Sequence, residues 1–277
     1  FLSRPRVHNT GKYDNLFPSG SFKYLFTPNL NLHLGYSSTI RRAPYLFLTG
    51  VTLVNEEAKR VTSPNTKLRP ETSDNFAARL ACYFEPVGQL SVSIYERHMK
   101  DLFITDELTA EEFGYTGTEY AAYTFITRNN SDSRARFRGM EIEYRQGLGF
   151  FGKAFQRLSV RGSYTRNYAD VRRTGMSPHL VSGGVNHTLG RANVYANISW
   201  TDNTPVSASG LTYRRHRTNL DAGAGWRLTK LLSLSLGVRN ILNAPYINFA
   251  HVEPNPPAVV RYEITGVSFM LALKGAY

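Results

Sequence analysis

Hydrophobic and polar residues alternate along most of the chain. The stretch "LLSLSLGVRNILNAPY" (231–246) shows it plainly: Leu232, Leu234, Leu236 and Val238 fall on one side of an extended chain, and Ser233, Ser235, Gly237 and Arg239 on the other. Side chains of a strand point alternately to its two faces, so a period of two predicts strand. The same pattern gives Phe22, Tyr24 and Phe26 in 21–26, and Leu30, Leu32, Leu34 and Tyr36 in 29–37. It gives Phe76, Ala78, Leu80, Cys82 and Phe84 in 75–84, and Leu90, Val92 and Ile94 in 89–97. Further runs lie at 136–147, 157–168, 179–189, 193–200, 218–228 and 264–277. About eleven strands result, with no convincing helix.

The connections between these runs alternate in length. Short ones fall near residue 28 and at 85–88, 149–156, 189–192 and 229–230; long ones cover roughly 42–72, 104–134, 169–178, 201–213 and 244–260. A meander of antiparallel strands with one economical end and one elaborated end produces this rhythm.

Two environments could explain a two-faced strand. A half-buried strand of a soluble sheet alternates, but is usually five or six residues long. Several runs here reach about nine to twelve, the length of a tilted strand that crosses a bilayer. The apolar faces also carry small residues, among them Ala78, Gly162, Ala196, Ala222, Ala224 and Gly275. These would leave voids in a close-packed core, whereas lipid chains adapt to them. Only a closed sheet leaves no backbone edge unpaired in lipid. The expected fold is therefore all-β, an antiparallel up-and-down transmembrane β-barrel. Leu232, Leu234, Leu236 and Val238 are expected to face hydrocarbon, and Ser233, Ser235, Gly237 and Arg239 a wet interior. The pattern is expected to stop at Asn243 where the chain leaves the membrane, with Tyr246 an interfacial aromatic.

Composition agrees with this reading. Mean hydropathy is −0.33 and no run approaches the roughly 18 apolar residues of a membrane helix. That excludes membrane helices and nothing else. The net charge of +12 is scattered, with small clusters at Arg41-Arg42, Arg172-Arg173 and Arg214-Arg215-His216-Arg217. No basic helix or nucleic-acid module accompanies it, so nucleic acid is not an expected partner. The one cysteine, Cys82, allows no intramolecular disulfide and no cysteine metal cluster. The start "FLSRPRVHNTGKYDNLF" has no signal-peptide pattern. A mature chain or a piece of a longer one would begin so.

Four segments carry a resemblance to TonB-dependent outer-membrane receptors. "GVRNILNAPY" (237–246) is similar to that family's penultimate-strand motif, with Asn240, Asn243 and Tyr246 in its key positions. "NTKLRPETSDNF" (65–76) resembles the segment leading from an external loop into a strand, through Asn65, Leu68, Pro70, Glu71, Ser73 and Asn75. "LNLHLGYSSTIRRAPY" (30–45) resembles a strand whose outer end reads Arg-x-Pro. "VSFMLALKGAY" resembles the terminal strand, with Tyr277 as its aromatic last residue. Four motifs in the right order are specific where each alone is weak.

The resemblance implies a barrel of 22 strands preceded by an N-terminal plug domain. About eleven strands would be the C-terminal half, with residues 1–277 one part of a single barrel domain and the plug absent. The implied partners are the missing barrel half and plug, the TonB energy-coupling complex acting through the plug, outer-membrane lipid and lipopolysaccharide, and a small-molecule or glycan ligand. The implied location is the outer membrane of a Gram-negative bacterium. The implied function is uptake of a scarce ligand (siderophore, cobalamin, haem or glycan) by TonB-coupled energy, with no cofactor and no covalent chemistry.

Arg41, Arg42 and Tyr45, and separately Arg214, Arg215, His216 and Arg217, are the candidate ligand contacts, since guanidinium forks suit carboxylate or phosphate oxygens. The same arginines could instead meet lipopolysaccharide phosphates or loop carboxylates such as Glu56, Glu57, Asp106 and Glu107. Phe113, Tyr115, Tyr120, Tyr123 and Phe125 could stack on a sugar or catecholate, or pack on one another. Glu141 and Glu143 are expected on the lumen side, paired with Arg145, Arg161 or their neighbours. Two other readings stand beside this one: a smaller outer-membrane barrel hydrolase, for which no Ser/His or Asp/His spacing speaks, and a soluble carbohydrate-binding sandwich.

Overall fold

The structure is a computed structural model that describes residues 12, 14–48, 50–85, 87–207, 211–251 and 254–275. Its strands in chain order are β1 (Ser19–Thr27), β2 (Leu30–Arg41), β3 (Leu53–Asn55), β4 (Arg60–Thr62), β5 (Glu71–Phe84), β6 (Gly88–Lys100), β7 (Phe103–Leu108), β8 (Thr124–Asn130), β9 (Ala135–Gly147) and β10 (Leu158–Ala169). They continue as β11 (His179–Leu189), β12 (Ala192–Thr201), β13 (Thr204–Pro205), β14 (Thr212–Arg214), β15 (Arg217–Arg227), β16 (Leu232–Arg239), β17 (Tyr246–Ala250), β18 (Ala258–Glu263) and β19 (Ser268–Gly275). Two single-turn helices, α1 (Tyr45–Leu48) and α2 (Ala110–Phe113), lie in long connections.

Eleven of these strands form one sheet in the order β1-β2-β5-β6-β9-β10-β11-β12-β15-β16-β19. These are the eleven runs that alternation predicts, and 179–189 matches to the residue. Each is joined to the next by a short turn or a long connection, in strict alternation. Sequence reading treats the long connections as loops. The structure builds eight further short strands within them, in two four-stranded sheets: β3-β4-β8-β7 and β13-β14-β17-β18. Runs of two to seven residues are too short for a period to register.

The chain divides into two compact units, each described here by itself. In the unit of residues 1–20, 36–75 and 97–136, β4 pairs parallel with β8, and β8 pairs antiparallel with β7. Val61, Ala110 and Phe125 form its buried core, with Phe113, Tyr115, Tyr120 and Tyr123 packed against it. Phe113 stacks on Phe125 with ring centroids 4.7 Å apart. Of the two sequence-level possibilities for these aromatics, mutual packing is the one the structure adopts. α2 opens on a capping box: the Thr109 hydroxyl accepts from the Glu112 N–H (3.2 Å), and the Glu112 carboxylate accepts from the Thr109 N–H (2.8 Å). Gly114, at φ 79°, closes the helix in the left-handed conformation.

In the unit of residues 21–35, 76–96 and 137–277, the registers fix the faces. Arg161 lies opposite Arg145 on one side and Gly184 on the other; Gly184 lies opposite Asn197, and Asn197 opposite Asp221. Partners in an antiparallel ladder share a face, so this row and its alternate neighbours form a polar face. The intervening rows form an apolar one: Gly162, Gly183, Ile198 and Leu220, then Ala222, Val238 and Phe269. The apolar face is open. Phe269 is 74% exposed and Leu271 71%. Among the described residues the buried hydrophobics are eight, and none of them lies in β10, β11, β12, β15, β16 or β19. A soluble sandwich would bury this face; here it awaits an apolar medium.

The strand pattern stops earlier than expected. β16 ends at Arg239, because Asn240 and Asn243 both take left-handed backbone conformations (φ 54° and 47°). Asparagine tolerates that region far better than branched residues do.

The α2 box generates a pH prediction. Bonds from the Thr109 backbone N–H, then its hydroxyl, hold the Glu112 carboxyl below its usual value. A group whose folded pKa is depressed contributes stability that is complete above its unfolded pKa and is lost as pH falls through the folded value. The Glu112 amide is therefore expected to be fully protected from hydrogen exchange above the ordinary glutamate range, and to lose protection progressively as pH falls from that range through the depressed value. Thr109→Ala should raise its exchange at neutral pH about fivefold.

Candidate functional site

The polar face holds a recess of about 600 Å³. Its floor is small: Ser163, Ser182 and Ser199, with Ser163 and Ser182 hydrogen bonded across β10 and β11 at 2.8 Å. Charged and amide side chains rise around it. Arg79 reaches the Glu143 carboxylate at 2.8 Å, and Ser91 donates to the same oxygen at 3.1 Å. Sequence reading puts Glu143 beside Arg145 or Arg161 or their neighbours; its partner is Arg79, two strands away. Arg161 lies across β11 and donates to the Asn197 amide oxygen at 2.8 Å. Gly184 makes this possible, for a Cβ there would come within 2.8 Å of the Arg161 Nε and 2.6 Å of Asn197 Oδ1. Asp221 accepts from the Asn219 amide and from the Asn240 N–H.

The long-connection end of this unit is organised by the Asn-x-x-Asn-x-x-Tyr segment. Buried Asn240 donates through Nδ2 to the Gly266 carbonyl (2.8 Å) and accepts at Oδ1 from the Ala244 N–H (2.9 Å) and Arg217 (3.3 Å). Asn243 closes the turn by donating its N–H to the Asn240 carbonyl at 2.8 Å. Arg217 also donates to the Ala244 carbonyl and to the Tyr246 hydroxyl, and its guanidinium sits 4.1 Å from the centre of the Tyr246 ring. Arg214 lies over the same ring at 5.5 Å. Arg215 and His216 are exposed; the Arg215 N–H donates to the Ile247 carbonyl and the His216 N–H to the Asn203 side-chain oxygen.

The other candidate group belongs to the other unit. Glu71 is nearly fully buried and accepts from Arg41 at 3.1 Å and from the Phe103 N–H at 2.8 Å. Thus Arg41 meets Glu71 and not Glu56, Glu57, Asp106 or Glu107. Arg42 and Tyr45 are exposed. The Asn65 motif is a strut: its side-chain amide donates to the Arg128 carbonyl (3.0 Å) and to Asn129 (2.8 Å), and Leu68 and Pro70 are buried beside it. Tyr277 lies outside the described residues. Sequence reasoning missed the Arg79–Glu143 bridge, since only the β5-β6-β9 order brings residues 64 apart together.

A family model for the TonB-dependent receptor-like β-barrel matches residues 3–241. The chain belongs to the TonB-dependent receptor family. Its fold is that of solved receptors: a ferric enterobactin receptor mutant of Pseudomonas aeruginosa matches at TM-score 0.69 and 17% identity, over 95% of this chain and 40% of that one. The copper transporter OprC matches at 0.65 and 14%, over 93% and 38%. A siderophore receptor of Pseudomonas aeruginosa matches at 0.62 and 14%, over 95% and 42%. The chain thus spans about two-fifths of the length of these receptors. No curated protein matches it by sequence.

The bonding separates structural from free side chains, and stability measurements can check it. Glu71→Ala is expected to cost about 2 kcal/mol, below the range for a fully buried pair because Arg41 is half-exposed. Asn240→Ala, which breaks up a buried hub, should cost about 2–3 kcal/mol. Arg42→Ala and Arg215→Ala should stay within about 0.5 kcal/mol. Urea unfolding of the complete receptor reconstituted in lipid vesicles reads all four.

Proposed function

We propose that this chain forms part of the lumen wall and the external loops of an outer-membrane active transporter, one that binds a scarce ligand and imports it with TonB-coupled energy. The observation that carries this reading is the single two-faced sheet. Its apolar face is exposed along strands of eight to fourteen residues, and its other face is a polar, hydrogen-bonded surface. Family membership supports the same role, and it also argues against catalysis.

In this reading the short turns lie on the periplasmic side and the five long connections outside. β1 and β19 are the sheet's two edges. Unpaired edges are untenable in hydrocarbon, so further strands, the rest of the barrel, would complete it. Residues 1–277 would then be the C-terminal part of a barrel whose plug, lying in the lumen, receives the pull of the TonB complex. Lipid and lipopolysaccharide would contact the apolar face and its rim.

Exposed Arg42 and Tyr45, and separately exposed Arg215 and His216, would each offer a place for an anionic ligand at the loops. Arg41, Arg214 and Arg217 would hold the loop ends in place for them, each through the contacts that occupy it. Siderophore receptors among the structural neighbours favour a ferric siderophore over cobalamin, haem or glycan.

Spin labels test the membrane assignment. Cys82 is the chain's one cysteine, so Cys82→Ser gives a clean background for labels at Leu234, Ser235, Leu236 and Gly237. In vesicles, oxygen accessibility is expected to peak at 234 and 236, and accessibility to a water-soluble nickel chelate at 235 and 237. A flat profile, or nickel access at all four, would overturn the reading.

A further inference from the structure

Arg145 and Arg161 face each other directly across the β9–β10 ladder and share the polar face. Like charges in that relation destabilise a sheet. Such a pair is ordinarily relieved by a carboxylate beside it; of the acids on this face, Glu141 lies farther along β9, beyond Glu143 and opposite Thr165. Glu143 is held by Arg79 and Ser91. Asp221 is three strands from Arg161 and is held by Asn219 and the Asn240 N–H. Among the described residues neither Arg145 nor Arg161 forms an ion pair. Arg161 is nonetheless fixed: it spans Gly184 and is pinned at the Asn197 oxygen, which occupies one donor edge of its guanidinium. Beside the two arginines lies the small-residue floor of the 600 Å³ recess, where Ser163 and Ser182 bond to each other and leave one hydroxyl proton to give. A third charge sits on the same wall: the Nε of Arg79 is buried with no hydrogen-bond partner.

We propose that Arg145 and Arg161 form an oxyanion site on the polar wall, taking the carboxylate or phosphate of a small anionic solute. The site rests on the transporter reading, and it places an anion-binding station along the wall, apart from the loop residues that would capture ligand first. Arg161 supplies preorganised donors, Arg145 the neighbouring charge, and the serine floor room for a group of a few heavy atoms. An acidic side chain of another polypeptide covering the wall has the same chemistry, and the test separates the two sources.

The test follows the arginine Nε resonances of the complete barrel, with its plug deleted, in detergent micelles during titration with inorganic phosphate and with citrate. Arg145 and Arg161 are expected to shift together, saturating near about 1 mM, while exposed Arg227 shifts only with ionic strength. Arg145→Gln should weaken the Arg161 response at least about fivefold, and Arg161→Lys should recover part of what Arg161→Gln loses. Repeating the titration on the complete receptor distinguishes the sources: retained binding assigns the site to a soluble solute. Binding seen in the plug-deleted barrel and lost in the complete receptor would show a protein carboxylate already seated there, and would overturn the solute proposal. Shifts equal to those of Arg227, or an Arg161 response indifferent to Arg145→Gln, would overturn the site itself. If the spin-label alternation holds while these titrations are flat, only the oxyanion site falls. If the alternation fails, the transporter reading falls with it.

Discussion

Every feature of this chain depends on the antiparallel ladder and its obligation that opposed residues share a face. Once Gly162 pairs with Gly183, and Gly183 with Ile198, one register after another is committed, and a slip of a single residue would invert the sheet. The constraint acts on chemistry as well as on packing. Arg161 reaches Asn197 because both lie in one row, with a glycine between them and no side chain in the way.

The ladder accounts for what was legible in the sequence. A strand of eight to fourteen residues repeats its two-residue signal often enough to be read without a structure, as β11 and β12 were. The family motifs were legible for another reason: Asn240 and Asn243 stand where a backbone must turn left-handed, and few residue types accept that. Their chemistry was not legible. Nothing in the order Asn-Ile-Leu-Asn-Ala-Pro-Tyr reveals that the first asparagine gathers a carbonyl, an N–H and an arginine around its side chain.

The candidate site was legible in residue type and less so in role. Arginine clusters fall at strand ends that meet long connections, but adjacent arginines differ sharply. Arg41 is locked to a buried carboxylate while Arg42 is exposed; Arg217 is folded into a turn while Arg215 reaches solvent. The difference arises from partners 20 to 30 residues away in sequence, and a local pattern carries no trace of them. The loop aromatics from Phe113 to Phe125 were legible as a cluster, though only the fold decides that they serve one another.

Most of the long connections do not act singly. The parallel pairing of β4 with β8 binds the segment after β2 to the segment after β6, and the pairing of β14 with β17 joins the segment after β12 to the one after β16. Each of these two couples is thus one woven flap, and the fifth long connection, 170–178, belongs to neither sheet. Specificity grafted from a relative by exchanging a lone loop would tear a shared seam, so the unit of inheritance and of engineering on this surface is the couple.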